Sequence, residues 1–99
     1  MGAGSVSDVR RVPFSDPSAI RQELPPFTGV IDHPMIGALE VLIDETGRVM
    51  SATMRGPVLP TYDRAAVAAA QSWRYRPATF NGAPVKFRKF IQVSITPRS

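Results

Sequence analysis

The sequence predicts a small α+β domain in which a hairpin, a helix and a long final strand share one core. Three observations predict it. Leu39, Val41 and Ile43 alternate with Glu40, Leu42 and Asp44 ahead of an Asp44-Glu-Thr-Gly47 turn, the period of a half-buried strand running into a hairpin. Tyr62, Ala66, Ala69 or Ala70, and Trp73 then recur at helical spacing. Beyond Asn81-Gly82, the stretch Val85 to Ile95 is rich in β-branched and aromatic residues, as strands are.

The chain of 99 residues suits one domain with a modest core. Its 43% apolar and 20% charged residues are ordinary for a globular protein. No apolar run approaches the roughly 20 residues of a membrane span. The start Met1-Gly-Ala-Gly-Ser leads into polar residues, unlike the apolar stretch of a signal peptide. With no cysteine, disulfides and thiolate metal sites are excluded.

Residues 1–15 read as a flexible tail or cloning remnant, and 16–99 as a single domain. Asp16-Pro17 offers a cap followed by proline at a first helical position, so Ser18 to Leu24 is expected as a short helix ended by Pro25-Pro26. Asp32-His33-Pro34 suggests a turn, with Val30-Ile31 as a brief extended piece. The first strand of the hairpin follows Gly37, and Gly47 suits a left-handed position. Arg48 to Arg55 returns, and a bulge between Val49 and Ala52 would bring Val49, Ala52 and Met54 to one face. Gly56-Pro57 breaks that strand.

Thr61 is expected to cap a helix running from Tyr62 to about Arg74, with Asp63 at its positive pole. Its alanine stripe lets the axis approach a sheet closely, and Trp73 is its core anchor. Pro77 is expected to stop the helix and hold Arg76 extended. Asn81-Gly82 suits a two-residue turn with both residues at positive φ. In the last strand Val85, Phe87, Ile91, Val93 and Ile95 share one face and Lys86, Arg88, Phe90, Gln92 and Ser94 the other. Lys89 falls on the apolar face, where a strand end or bulge would accommodate it.

Charge is uneven. Residues 1–61 hold five arginines against seven acidic residues, a net −2, whereas residues 62–99 hold seven Lys/Arg against Asp63 alone, a net +6. Such a half is either a solvated face or a basic edge for an anionic partner.

Catalytic chemistry is not visible. His33 is the single histidine, and neighbours on an extended chain point apart, so Asp32 is not its partner by default. No phosphate loop or nucleophile–base set occurs, and Asp44-Glu45 alone are too few for a metal. No cofactor is expected. Trp73 and Tyr75 near basic residues resemble a base-stacking platform only loosely, and no nucleic-acid recognition motif appears.

Taken in order, several of these features resemble the C-terminal domain of the TonB family. They are Gly37 before an alternating strand, the hairpin Asp44-Glu-Thr-Gly47-Arg-Val49, and Tyr62-Asp63 with Ala65-Ala66. The match continues through Trp73-Arg-Tyr-Arg-Pro77-Ala78 and Asn81-Gly82 into the strand from Pro84-Val85. The matching part spans Gly37 to Ile95. The resemblance implies a two-layer domain, a mainly antiparallel three-stranded sheet with one or two helices packed on one face. The family's Tyr-Pro pair and Ala-bearing first helix have no direct counterpart in Pro25 to Gly37, so the first helix is expected at about 17–24, reduced or lost.

The resemblance also implies a non-enzymatic periplasmic module in Gram-negative bacteria, tethered to the inner membrane by a helix and Pro-rich spacer absent from this chain. Such modules grasp an extended peptide of an outer-membrane transporter and pass on energy from the proton gradient. Inner-membrane proton-channel partners would be reached through the absent N-terminal region. The alternatives are an interaction or sensing module of another envelope protein, and a small basic nucleic-acid-binding domain.

The site follows from strand order. A hairpin plus a strand after a helix leaves one strand at a sheet edge, where unpaired N–H and C=O groups template another extended chain. The expected partner-binding edge is Val85, Lys86, Phe87, Arg88, Lys89, Phe90, Ile91, Gln92 and Val93, with the basic residues selecting acidic peptides or keeping identical edges apart. A strand-exchanged homodimer uses the same edge. Gly37, Gly47, Asp63, Trp73, Pro77, Asn81 and Gly82 are expected to be structural.

Overall fold

Alternation over Met35–Ile43 places Leu39, Val41 and Ile43 on one face, and all three are fully buried in the computed structural model, which describes residues 13–97. The elements are β1 (Phe14–Ser15), β2 (Ser18–Arg21), β3 (Met35–Ile43), β4 (Val49–Gly56), α1 (Pro60–Ala70), β5 (Arg74–Arg76), β6 (Ala78–Phe80), β7 (Ala83–Val85) and β8 (Phe87–Ile95). The main sheet is antiparallel, with order β4-β3-β8. The inner face of β8 contributes Ile91, Val93 and Ile95, and α1 covers the sheet through Tyr62, Ala66 and Ala70. The expected α+β architecture is therefore present, with one helix among the described residues.

The hairpin forms as the sequence suggests. Leu42 pairs with Ser51 and Ile43 with Val49, so Met50 is the extra residue of a bulge, and Val49, Ala52 and Met54 line the core. Gly47 has φ 89° and a Cβ there would overlap the Tyr75 carbonyl oxygen. Gly37 lies inside β3, where a Cβ would overlap the Gly56 carbonyl oxygen and Val58. Asn81 (φ 53°) and Gly82 (φ 82°) make the left-handed turn between β6 and β7.

The helix differs at both ends. Its N-cap is Leu59, with no side-chain cap, and Pro60 rather than Tyr62 begins it. Proline suits that first position because its missing N–H would have no helical partner. Asp63 acts in the first turn, accepting the Val58 N–H at Oδ1 (3.0 Å). At the other end α1 stops at Ala70, well before Pro77. Trp73 N–H reaches Ala70 O (3.1 Å) in a tightened last turn, and the Ser72 hydroxyl donates to Ala69 O (2.9 Å). Arg74, the expected helix end, is instead extended as the start of β5, which pairs with β2 and bridges to Arg48, and Arg76 is extended as expected. Pro77 therefore separates β5 from β6 instead of terminating a helix.

The expected helix over 18–24 is also replaced by strand. Ile20 is 62% exposed in the strand, while Leu24 reaches the core beyond it. So short a helix is marginal alone, whereas pairing with β5 satisfies its backbone. Residues 1–12 of the expected tail lie outside the described residues, but Phe14–Ser15 pair with β6 and Pro13 O accepts the Asn81 N–H (2.6 Å). Val30-Ile31 joins no strand, and residues 32–33 form a bend.

Candidate partner-binding edge

The strand β8 is paired with β3 over its full length in unbroken antiparallel register, from Ile43↔Phe87 to Met35↔Ile95. No described strand pairs with its other side. The expected strand 85–95 is divided, however. Val85 belongs to β7, opposite Ala78, and Lys86 lies between the two strands. The sheet edge thus holds Phe87, Arg88, Lys89, Phe90, Ile91, Gln92 and Val93 of the expected set, and excludes Val85 and Lys86. The reason is the tight β6–β7 hairpin, whose turn sets β7 against β6 before the chain reaches the main sheet.

Lys89 is inward-facing as its position requires, but no bulge excuses it. Its Nζ stands 5.0 Å from the centroid of the Tyr75 ring, a cation–π placement that leaves the aliphatic stem against apolar surface. On the opposite face, the Glu40 carboxylate is gripped by Arg55 Nε of β4 and Arg88 Nε of β8, each at 2.6 Å. Glu40 is only 6% exposed; two guanidinium groups offset the desolvation of one carboxylate. The basic edge is consequently less free than its sequence suggests, because Arg88 is committed to Glu40 and Lys89 to Tyr75. Phe90 is 59% exposed on that outer face.

A segment that sequence reasoning missed lies beside this edge. The chain from Pro13 to Pro25 forms a strap. Its β1 and β2 run antiparallel to β6 and β5 in a common register, with Ser15↔Thr79 and Ser18↔Arg76. Pro17 and Pro77 interrupt that ribbon, since neither has an N–H to give. The next residues are fixed by three buried aromatics. Tyr75 Oη donates to Gln22 Oε1 (2.6 Å), Trp73 Nε1 to Glu23 O (3.0 Å) and Tyr62 Oη to Pro25 O (2.7 Å). Burial pushes the Tyr75 hydroxyl up to about 12 and raises that of Tyr62. Strands of two and four residues leave almost no pattern in a sequence, and the one local signal, Asp16-Pro17, favours a helix.

Two further polar clusters stand among the described residues. His33 Nδ1 does meet Asp32 Oδ1 at 2.6 Å, contrary to expectation, because the bend turns both side chains the same way. The hydrogen bond from His33 holds the Asp32 carboxyl below its usual range, and both side chains are exposed. Asp44 Oδ1 accepts from Thr46 Oγ1, Thr46 N–H and Arg48 N–H, which lowers its pKa and uses the carboxylate to close the turn. Among the described residues no three His, Asp or Glu side chains gather as a metal site.

Residues 38–96 match the family model of the Gram-negative bacterial TonB protein C-terminal domain. The chain belongs to this family. No curated protein and no solved structure matches the chain. The matched region covers most of β3 and all of β4, the helix and β8, so the TonB-family part is the two-layer sheet and helix, with the strap lying outside it. TonB C-terminal domains are non-enzymatic interaction modules of energy transduction to outer-membrane transporters. Membership implies a periplasmic location, and no helix among the described residues is long and apolar enough to cross a membrane.

Proposed function

We propose that this domain binds an extended peptide of an outer-membrane transporter by strand addition along β8 and transmits energy from the proton gradient for uptake. One observation carries the proposal: nine consecutive residues, Phe87–Ile95, pair with β3 on one side and with no described strand on the other. Main-chain groups on the open side supply affinity to any extended segment, and the flanking side chains supply selection. The residues offered are Phe87, Arg88, Lys89, Phe90, Ile91, Gln92 and Val93, continuing to Ile95. The basic first half favours a peptide with acidic residues there. A second copy of the chain is the other extended partner this edge fits, by strand exchange.

The test is a backbone amide shift titration with synthetic plug-segment peptides of outer-membrane transporters. The largest perturbations are expected along 87–95. Perturbations restricted to 13–36, or none with any peptide, would overturn the reading.

A further inference from the structure

The free edge of β8 is not equally open along its length. Across its first half, Phe87 to Phe90, the facing wall is the Asp16-Pro17 corner of the strap, over a gap of about 360 Å³. Phe14 stacks on Phe87, with ring centroids 5.7 Å apart and planes inclined at 28°. No strap residue hydrogen-bonds to β8 among the described backbone contacts, so the strap stands beside this edge without pairing to it. An added strand sits about 4.8 Å from its neighbour and must therefore use the space that the corner borders.

The strap is also held unequally. Gln22, Glu23 and Pro25 are tied to Tyr75, Trp73 and Tyr62, all in the core. The part from Phe14 to Arg21 is exposed except for Pro17. It rests on one two-residue ladder and one bulged ladder, separated where Pro17 and Pro77 interrupt the ribbon. Ladders this short and solvent-exposed belong to the low-stability end of local opening. The boundary between the fixed and the weakly held parts falls at Gln22.

We infer that residues 13–21 are a displaceable gate on the β8 edge: in place, they restrict an incoming strand to 91–95, and their release opens 87–90. Asp16 is the acidic group at this wall, facing the stretch that carries Arg88 and Lys89, where an acidic residue of a peptide would have to go. This inference rests on strand addition at β8. The measured affinity of a full-length peptide is then reduced by the fraction of molecules with the gate in place.

A reversible lock tests it. The Ser15 and Thr79 hydroxyls touch across the β1–β6 pair, and the chain has no cysteine, so S15C/T79C forms one disulfide that fastens the gate. The probe is the plug-segment peptide giving the largest β8 shifts in the titration above. The reduced variant is expected to bind it like the parent. The oxidised one should bind at least about tenfold more weakly, with shifts retreating to 91–95, as removal of the open fraction requires. Weakening the gate with F14A/D16A should raise affinity above that of the parent. Equal affinity of the oxidised and reduced forms, with shifts over all of 87–95, would overturn the gate and leave strand addition standing. Absence of β8 shifts in the parent, the reduced form and F14A/D16A alike would overturn strand addition itself, and the gate with it.

Discussion

Arg88 of β8 and Arg55 of β4 reach the same carboxylate, that of Glu40 on the strand between them, each through Nε at 2.6 Å. The two guanidinium groups are largely exposed while the carboxylate is not, with side-chain exposures of 62% and 64% against 8%. The contact ties all three strands of the sheet across its outer face.

Shared pairing predicts non-additivity. R55A or R88A leaves Glu40 one partner, and solvent screening at the exposed arginines limits each loss to about 1 kcal/mol. R55A/R88A leaves a buried carboxylate unpaired, which should cost about 3 kcal/mol, more than the sum of the singles. Urea unfolding of the four proteins gives the coupling; additive losses would show that water already satisfies Glu40.

Gly47 and Gly82 both hold positive φ, yet they should respond differently to alanine. At Gly47 the new Cβ meets the Tyr75 carbonyl oxygen, while at Gly82 nothing lies within contact distance. G82A should cost only the backbone strain, about 1 kcal/mol, and G47A should exceed about 3 kcal/mol because the Tyr75 N–H to Gly47 O bond (2.9 Å) must shift as well. Thermal unfolding of the two variants gives the order.

The helix stripe offers a packing test. Ala66 and Ala70 are fully buried while Ala65 and Ala68 are exposed. A66L should destabilise by about 1–3 kcal/mol through overpacking, whereas A68L should stay within about 0.5 kcal/mol. Equal effects would mean that α1 can shift away from the sheet.

Much of this arrangement was legible in the sequence because it is carried by local pattern. Alternation over Leu39 to Ile43, the Gly47 turn, the alanine spacing of α1 and Asn81-Gly82 each encode their geometry within a few residues. The Met50 bulge was legible too, since only an extra residue brings Val49 into phase with Ala52 and Met54. What was not legible depends on partners far along the chain. Arg74 reads as the last residue of a helix until β2 and Arg48 pair with β5. Ser18 to Arg21 carries a helix-start signal that Tyr75 and Trp73 override by tying down the residues that follow from fifty or more positions away. Lys89 is an anomaly on an apolar face until the Tyr75 ring is placed beneath it. The same distance effect hid the strap: the polar atoms that fix it belong to residues which, read locally, are core anchors only.

Tyr75 makes the strap's anchorage dependent on pH. Burial raises its hydroxyl from the ordinary value of 10.0 to about 12, so the folded state prefers the neutral phenol. An unfolded tyrosine is equally neutral below about 10, and the stabilisation is then fully present. As pH rises from about 10 toward 12 the unfolded chain ionises first, and folding stability falls. Tyr62 is shifted in the same direction and contributes to the same loss. Y75F should therefore cost about 1 kcal/mol at neutral pH, from the lost hydrogen bond to Gln22. It should also show a shallower decline above pH 10 than the parent, while Lys89 over the ring is common to both. Urea midpoints measured at intervals across the alkaline range check this. Parallel declines in the two proteins would show that Tyr75 ionises in the fold as freely as in solvent.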